Sequence, residues 1–165
     1  VFEGSHLYLR FSDDVAGASW AVILKNIYVP LIGAAEGAGL GDNIRGYLLA
    51  AALRELARIV VSFGGKADTV YGLAGVGDLV ATATSPGSHH RSAGVQLGRG
   101  EAGALKASGV NIRGEGFHAL AMLEKHRLVD FTQYPLLRAA RSLLAEPKQA
   151  RRILLDLCAD PDVVL

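Results

Sequence analysis

The sequence predicts an all-α fold built as one soluble helical domain, on three observations. Most of the chain divides into stretches whose apolar residues recur at helical spacing, opened by Ser, Asp, Asn or Pro and closed by glycine. A single segment, Leu7 to Phe11, alternates as a strand does. Half of the 165 residues are apolar, enough for a domain of this length to bury a core without disulfides or metal staples.

Leu7 to Phe11 is expected as one short strand, bounded by Gly4 and by Ser12, Asp13 and Asp14. Ser12 or Asp13 then caps an apolar helix that runs from Val15 towards Ala35 and stops in the glycines at 37, 39 and 41. Asp42 and Asn43 cap a second helix, in which Leu49, Leu53, Leu56, Val60 and Phe63 form the core stripe. Arg45, Arg54, Glu55 and Arg58 take the other positions, and Gly64-Gly65 ends it. Asp68, Asp78 and Ser88 each read as N-caps of shorter helices. A loop from Gly98 to Gly114 follows, then three helical patterns near Phe117 to His126, Pro135 to Leu144 and Pro147 to Leu157.

The charges nearly cancel at +1 and are dispersed, which leaves no footprint for nucleic acid. Cys158 is the single cysteine, so no internal disulfide forms, and a reducing, cytoplasmic setting is the simplest expectation. Val15 to Ala35 is apolar enough to raise a membrane helix. Against it stand Lys25, which costs about 2.5 to 3.5 kcal/mol at a bilayer centre, Pro30, and the lack of a basic flank. The start at Val1 shows no targeting pattern and reads as cut from a longer chain.

Lys25 is the strongest oddity. A lysine inside an apolar helix loses hydration, which disfavours its charged form and makes it a candidate acid or base. The alternative is that it snorkels or pairs with a carboxylate. Pro30 offers no N–H to the carbonyl of Asn26, so the helix is expected to kink beside this pair. Asp78 and Thr82 lie one turn apart on one helical face, where they suit either a polar ligand or plain capping. Ser88-His89-His90-Arg91 gathers three potentially cationic side chains in a helix's first turn, where the macrodipole disfavours cations; a bound phosphate resolves that conflict, and solvation of an exposed turn is the other reading. Gly98 to Gly103 matches GxGxxG but follows a helix, so it reads as a coincidental glycine loop. His6, His118 and His126 are isolated, and no metal site is assigned.

Taken together, Ser12-Asp13-Asp14-Val15, Leu24-Lys25-Asn26, Glu36-Gly37-Ala38-Gly39-Leu40-Gly41-Asp42-Asn43, Gly72-Leu73-Ala74-Gly75-Val76-Gly77-Asp78-Leu79 and Thr82-Ala83-Thr84-Ser85-Pro86 resemble the bacterial NAD(P)-dependent glycerol-3-phosphate dehydrogenase family. The resemblance runs from about Ser12 to Gly100 and more loosely to the end. It implies that residues 13–165 are the helical substrate-binding and catalytic domain, similar in fold to the C-terminal domain of 6-phosphogluconate dehydrogenase. Residues 1–12 would be the tail of a Rossmann nucleotide-binding domain.

The implied enzyme interconverts dihydroxyacetone phosphate and sn-glycerol 3-phosphate for phospholipid synthesis. It would use NAD or NADP bound mainly by that other domain, act as a homodimer, and be inactive as this piece alone. By the same resemblance Lys25 is the catalytic lysine that exchanges a proton with the substrate C2 oxygen, and Asp78 keeps it oriented. Asn26 and Thr82 line the substrate, Ser88, His89 and His90 hold its phosphate, and His89, Arg113 and Glu115 reach the cofactor. His89 and His90 stand where the family has Arg and Asn, Val22 and Val29 where it prefers Gly and Ala, and Pro30 is a further departure. Two other readings stand beside this one: a dehydrogenase of the same architecture with another substrate, and a non-catalytic helical module for phosphometabolite binding or dimerisation.

Overall fold

A computed structural model describes Phe2, residues 4–101 and residues 115–163, with Glu115 described in its backbone alone. The central element is α1 (Val15–Gly37), and the other helices are arranged around it. They are α2 (Asp42–Ser62), α3 (Ala67–Val70), α4 (Asp78–Thr84), α5 (His89–Gly98), α6 (Glu115–Lys125), α7 (Pro135–Ala145) and α8 (Ala150–Ala159). A π-helical turn, Leu73–Gly77, leads into α4, and 3-10 turns at Phe131–Gln133 and Pro147–Gln149 lead into α7 and α8.

α1 is long and apolar enough to cross a membrane, yet Leu24, Ile27, Tyr28, Leu31 and Ile32 are buried against neighbouring helices, as in the core helix of a globular domain. Its closest neighbour is α5, and glycine makes that approach possible. Gly33 and Gly37 press on the backbone carbonyls of Arg91 and Val95, while Gly94 and Gly98 press on those of Pro30 and Ala34, where any Cβ would overlap. The register of these contacts makes the two helices parallel.

Asp14 fixes the start of α1, not Ser12 or Asp13. Its Oδ1 accepts from the Gly17 N–H at 2.9 Å, while Oδ2 accepts from the Lys66 N–H at 2.8 Å and the Thr69 hydroxyl at 2.6 Å. One buried carboxylate thereby ties the starts of α1 and α3, and the Thr69 hydroxyl, with the two N–H groups, holds it below the ordinary carboxylate range. Asp13 instead pairs with Lys66 at the surface.

Several other expectations are corrected. Among the described residues there is no strand: Leu7 to Phe11 is exposed and unladdered, and a strand exists only by pairing. Gly41 rather than Asp42 or Asn43 is the N-cap of α2, and it makes no side-chain cap bond. Lys66 rather than Asp68 occupies that place before α3. Asp78 caps nothing, because Gly77 before it is already helical and the π turn runs straight into α4. In α2 the buried stripe is Leu48, Ala52, Leu56, Ile59 and Val60, and it includes Glu55, while Leu49, Leu53 and Phe63 are half-buried. Ser88 does cap α5, its Oγ accepting from the Arg91 N–H at 3.2 Å, and Pro135 opens α7.

Candidate functional site

Lys25 projects from α1 towards α4, where its ammonium donates to Asp78 Oδ1 at 2.8 Å and to the Thr82 hydroxyl at 3.1 Å, and lies 2.8 Å from Asp78 Oδ2. Thr82 in turn donates to the Asp78 backbone carbonyl at 2.7 Å, which pins its rotamer one turn beyond Asp78. Because Asp78 is not needed as a helix cap, both its carboxylate oxygens face the lysine. The Lys25 side chain is 12% exposed and that of Asp78 33%, so the pair is partly open to solvent. Of the alternatives left open for Lys25, the structure shows the pairing with a carboxylate.

Asn26, the next residue, is buried, and Pro30 lies inside α1 without ending it. Gly116 of α6 lies against the Asn26 carbonyl, the one that Pro30 deprives of its helical N–H, where a Cβ would overlap.

Since α5 runs parallel to α1, with Arg91 beside Gly33 and Gly94 beside Pro30, the start of α5 at His89 lies within roughly 9 Å of Lys25 along the α1 axis. Ser88 uses its hydroxyl as the cap, His89 is exposed and His90 is half-buried.

Arg91 is not available as an anion ligand. Its guanidinium grips Glu36 with Nε at 3.1 Å and Nη2 at 2.5 Å, roughly 16 Å along α1 from Lys25, and Arg45 approaches the same carboxylate at 4.0 Å. Arg113 and the side chain of Glu115 lie outside the described residues. Within the GxGxxG match, Gly98 is packed on the Ala34 carbonyl and Gly100, at φ +76°, closes α5 in the left-handed conformation, while Ala102 and Gly103 lie outside the described residues.

A second polar cluster lies in the core and was not anticipated. Glu55 is 4% exposed. Its Oε1 accepts from the Tyr28 hydroxyl at 3.0 Å and the Leu137 N–H at 3.0 Å, and its Oε2 accepts from the Leu136 N–H at 2.9 Å. The carboxylate thus caps α7 from α2 and holds α1 through Tyr28. Burial raises its pKa to about 7 against the lowering effect of the Leu136, Tyr28 and Leu137 donors and of Arg58. Burial and the neighbouring Glu55 also raise the Tyr28 phenol well above its ordinary value. The spacing of Arg54, Glu55 and Arg58 reads as a solvated face; the clue it hid was a tyrosine inside the apolar run of α1.

The described residues form a helical domain that brings a lysine, a carboxylate and a hydroxyl together at one place. The family described as NAD-dependent glycerol-3-phosphate dehydrogenase C-terminus matches residues 14–155. Among similar proteins, a glycerol-3-phosphate dehydrogenase [NAD(P)+] of Agrobacterium fabrum is 42% identical over 131 residues, 79% of this chain and 39% of that protein. One of Pelodictyon phaeoclathratiforme is 35% identical over 158 residues, 95% of this chain and 47% of that protein. The crystal structure of glycerol-3-phosphate dehydrogenase from Coxiella burnetii superposes with a TM-score of 0.73 at 36% identity, covering 88% of this chain and 46% of that one. The chain belongs to the family of NAD-dependent glycerol-3-phosphate dehydrogenase C-terminal domains, as the motifs around Lys25 and Asp78 imply. It spans less than half the length of the relatives it matches.

Proposed function

We propose that this chain is the substrate-binding and catalytic half of an NAD(P)-dependent glycerol-3-phosphate dehydrogenase, interconverting dihydroxyacetone phosphate and sn-glycerol 3-phosphate. The observation that carries the proposal is the bond from Lys25 to Asp78 and Thr82 at 2.8 and 3.1 Å, within a domain of this family. In the reducing direction the Lys25 ammonium donates a proton to the C2 oxygen of the ketone as negative charge develops there, and in the oxidising direction the amine takes it back. Asp78 balances the lysine's charge and, with Thr82, aims the N–H at one point. Asn26 adds a polar group beside the substrate.

Ser88, His89 and His90 at the start of α5 form the phosphate end, where the helix dipole favours an anion and Arg91 is committed to Glu36. The nicotinamide, when bound, supplies or accepts the hydride at C2. The exposed imidazole of His89 at a helix N-terminus suits a cofactor oxyanion, and Arg113 and Glu115 are proposed to reach the same molecule. The greater part of cofactor binding belongs to a Rossmann domain preceding residue 13, with residues 1–12 as its tail. Assembly as a homodimer and a cytoplasmic location accompany this reading.

The test is NADH or NADPH oxidation with dihydroxyacetone phosphate by the polypeptide extended through its nucleotide-binding domain. Lys25→Ala is expected to lower kcat by about 100-fold to 10,000-fold, the range for loss of a general acid; retained turnover removes Lys25 from the reaction. Arginine offers phosphate a bidentate fork that an imidazole lacks, so His89→Arg is expected to lower KM for dihydroxyacetone phosphate. A KM that ignores the substitution removes His89 from the phosphate site.

A further inference from the structure

Pro30 removes one rung of the α1 hydrogen-bond ladder at Asn26, so the turn that carries Lys25 is not held by its own backbone alone. Tyr28 belongs to that turn. It is the largest fully buried side chain among the described residues, and its hydroxyl is fastened to Glu55, which is itself fastened to the Leu136 and Leu137 N–H groups of α7. The path from α7 to the Lys25 turn is therefore continuous: two backbone donors, one carboxylate, one phenol, then a single helical turn.

Every polar group on this path is buried and partnered, which makes it stiff where the ladder is weakest. The other charged and aromatic groups around it are Arg58, whose guanidinium lies 5.2 Å from the Tyr134 ring centroid, and Tyr134 itself.

We propose that Tyr28 and Glu55 are positioning residues for Lys25: they clamp its turn of α1 so that the ammonium stays on Asp78 and Thr82. Their importance for turnover rests on the role assigned to Lys25 above, but the clamp is a property of the folded chain and is tested without turnover.

The test is competitive acetylation of the whole chain by trace acetic anhydride, with the Lys25 rate read by mass spectrometry relative to the exposed Lys125 and Lys148. Wild type is compared with Tyr28→Phe, which keeps the ring and loses only the hydroxyl, and with Glu55→Gln. Leu154→Ala, a core cavity in α8, serves as a control for general loosening. The clamp predicts that Lys25 labels at least about threefold faster in Tyr28→Phe and Glu55→Gln as it leaves its partners, and at the wild-type rate in Leu154→Ala. An unchanged Lys25 rate in Tyr28→Phe, or an equal rise in Leu154→Ala, overturns the proposal, since a merely structural role lowers Tm without singling out Lys25. Should Glu55→Gln not fold, Tyr28→Phe decides alone. Loss of activity is not scored, so failure of the dehydrogenase reading leaves this result intact.

Discussion

Asp78 and Glu55 are two carboxylates that the protein holds in opposite ways. Asp78, at 33% exposure, faces the lysine 2.8 Å away. Glu55, at 4%, is held in the core by two backbone N–H groups and a phenol. A partly exposed ion pair is screened and contributes about 0 to 1 kcal/mol, so the Lys25 centre has little structural work to do. A buried carboxylate wrapped by donors has the reverse character: its removal strands those donors, and its charge state is coupled to folding. The contrast is between two carboxylates tied to one turn of α1, one partly open and paired with Lys25, the other buried and holding the scaffold through Tyr28.

The largest stability effect is expected at the buried end. Glu55→Ala leaves the Tyr28 hydroxyl and the Leu136 and Leu137 N–H groups without their acceptor and is expected to lose roughly 3 to 5 kcal/mol in urea unfolding. A loss below about 1 kcal/mol breaks the contrast.

The pH dependence comes next. Because the folded pKa of Glu55 is raised from 4.5 to about 7, the native state binds its proton more tightly than the unfolded state. The stabilisation is fully present below pH 4.5 and is lost as pH rises through about 7. Between pH 5 and 8 wild type is expected to lose up to about 3 kcal/mol relative to Glu55→Gln, which has no proton to lose. Parallel pH profiles contradict the assignment.

The smallest effect is expected at the exposed end. Asp78→Asn should change unfolding free energy by less than about 1 kcal/mol; a loss as large as that of Glu55→Ala would make the Lys25 pair part of the scaffold.

Of these two centres, the sequence made one visible. Lys25 stands out because a charge interrupts an apolar run, and Asp78 and Thr82 share a helical face, so their convergence needed only that the two helices meet. Helix starts written locally, the Ser88 cap and Pro135 as the first residue of α7, are legible for the same reason. Glu55 was not, since its partners lie 27 and 81 residues away and its neighbours Arg54 and Arg58 mimic a solvated face. Asp14 was passed over for Ser12 and Asp13 because its second role, at Lys66 and Thr69, is tertiary. The strand at Leu7 to Phe11 has the right alternation, but a strand is completed by another chain segment. Paired glycines at 33 and 37 and at 94 and 98 carry the i, i+4 spacing of a close helix contact.

The most direct test pairs turnover with stability in one variant, Lys25→Ala, in the polypeptide extended through its nucleotide-binding domain. Reduction of dihydroxyacetone phosphate is predicted to fall about 100-fold or more while the unfolding free energy of this domain stays within about 1 kcal/mol of wild type. Turnover that survives, or a loss explained by unfolding, contradicts the division of labour between Lys25 and Glu55.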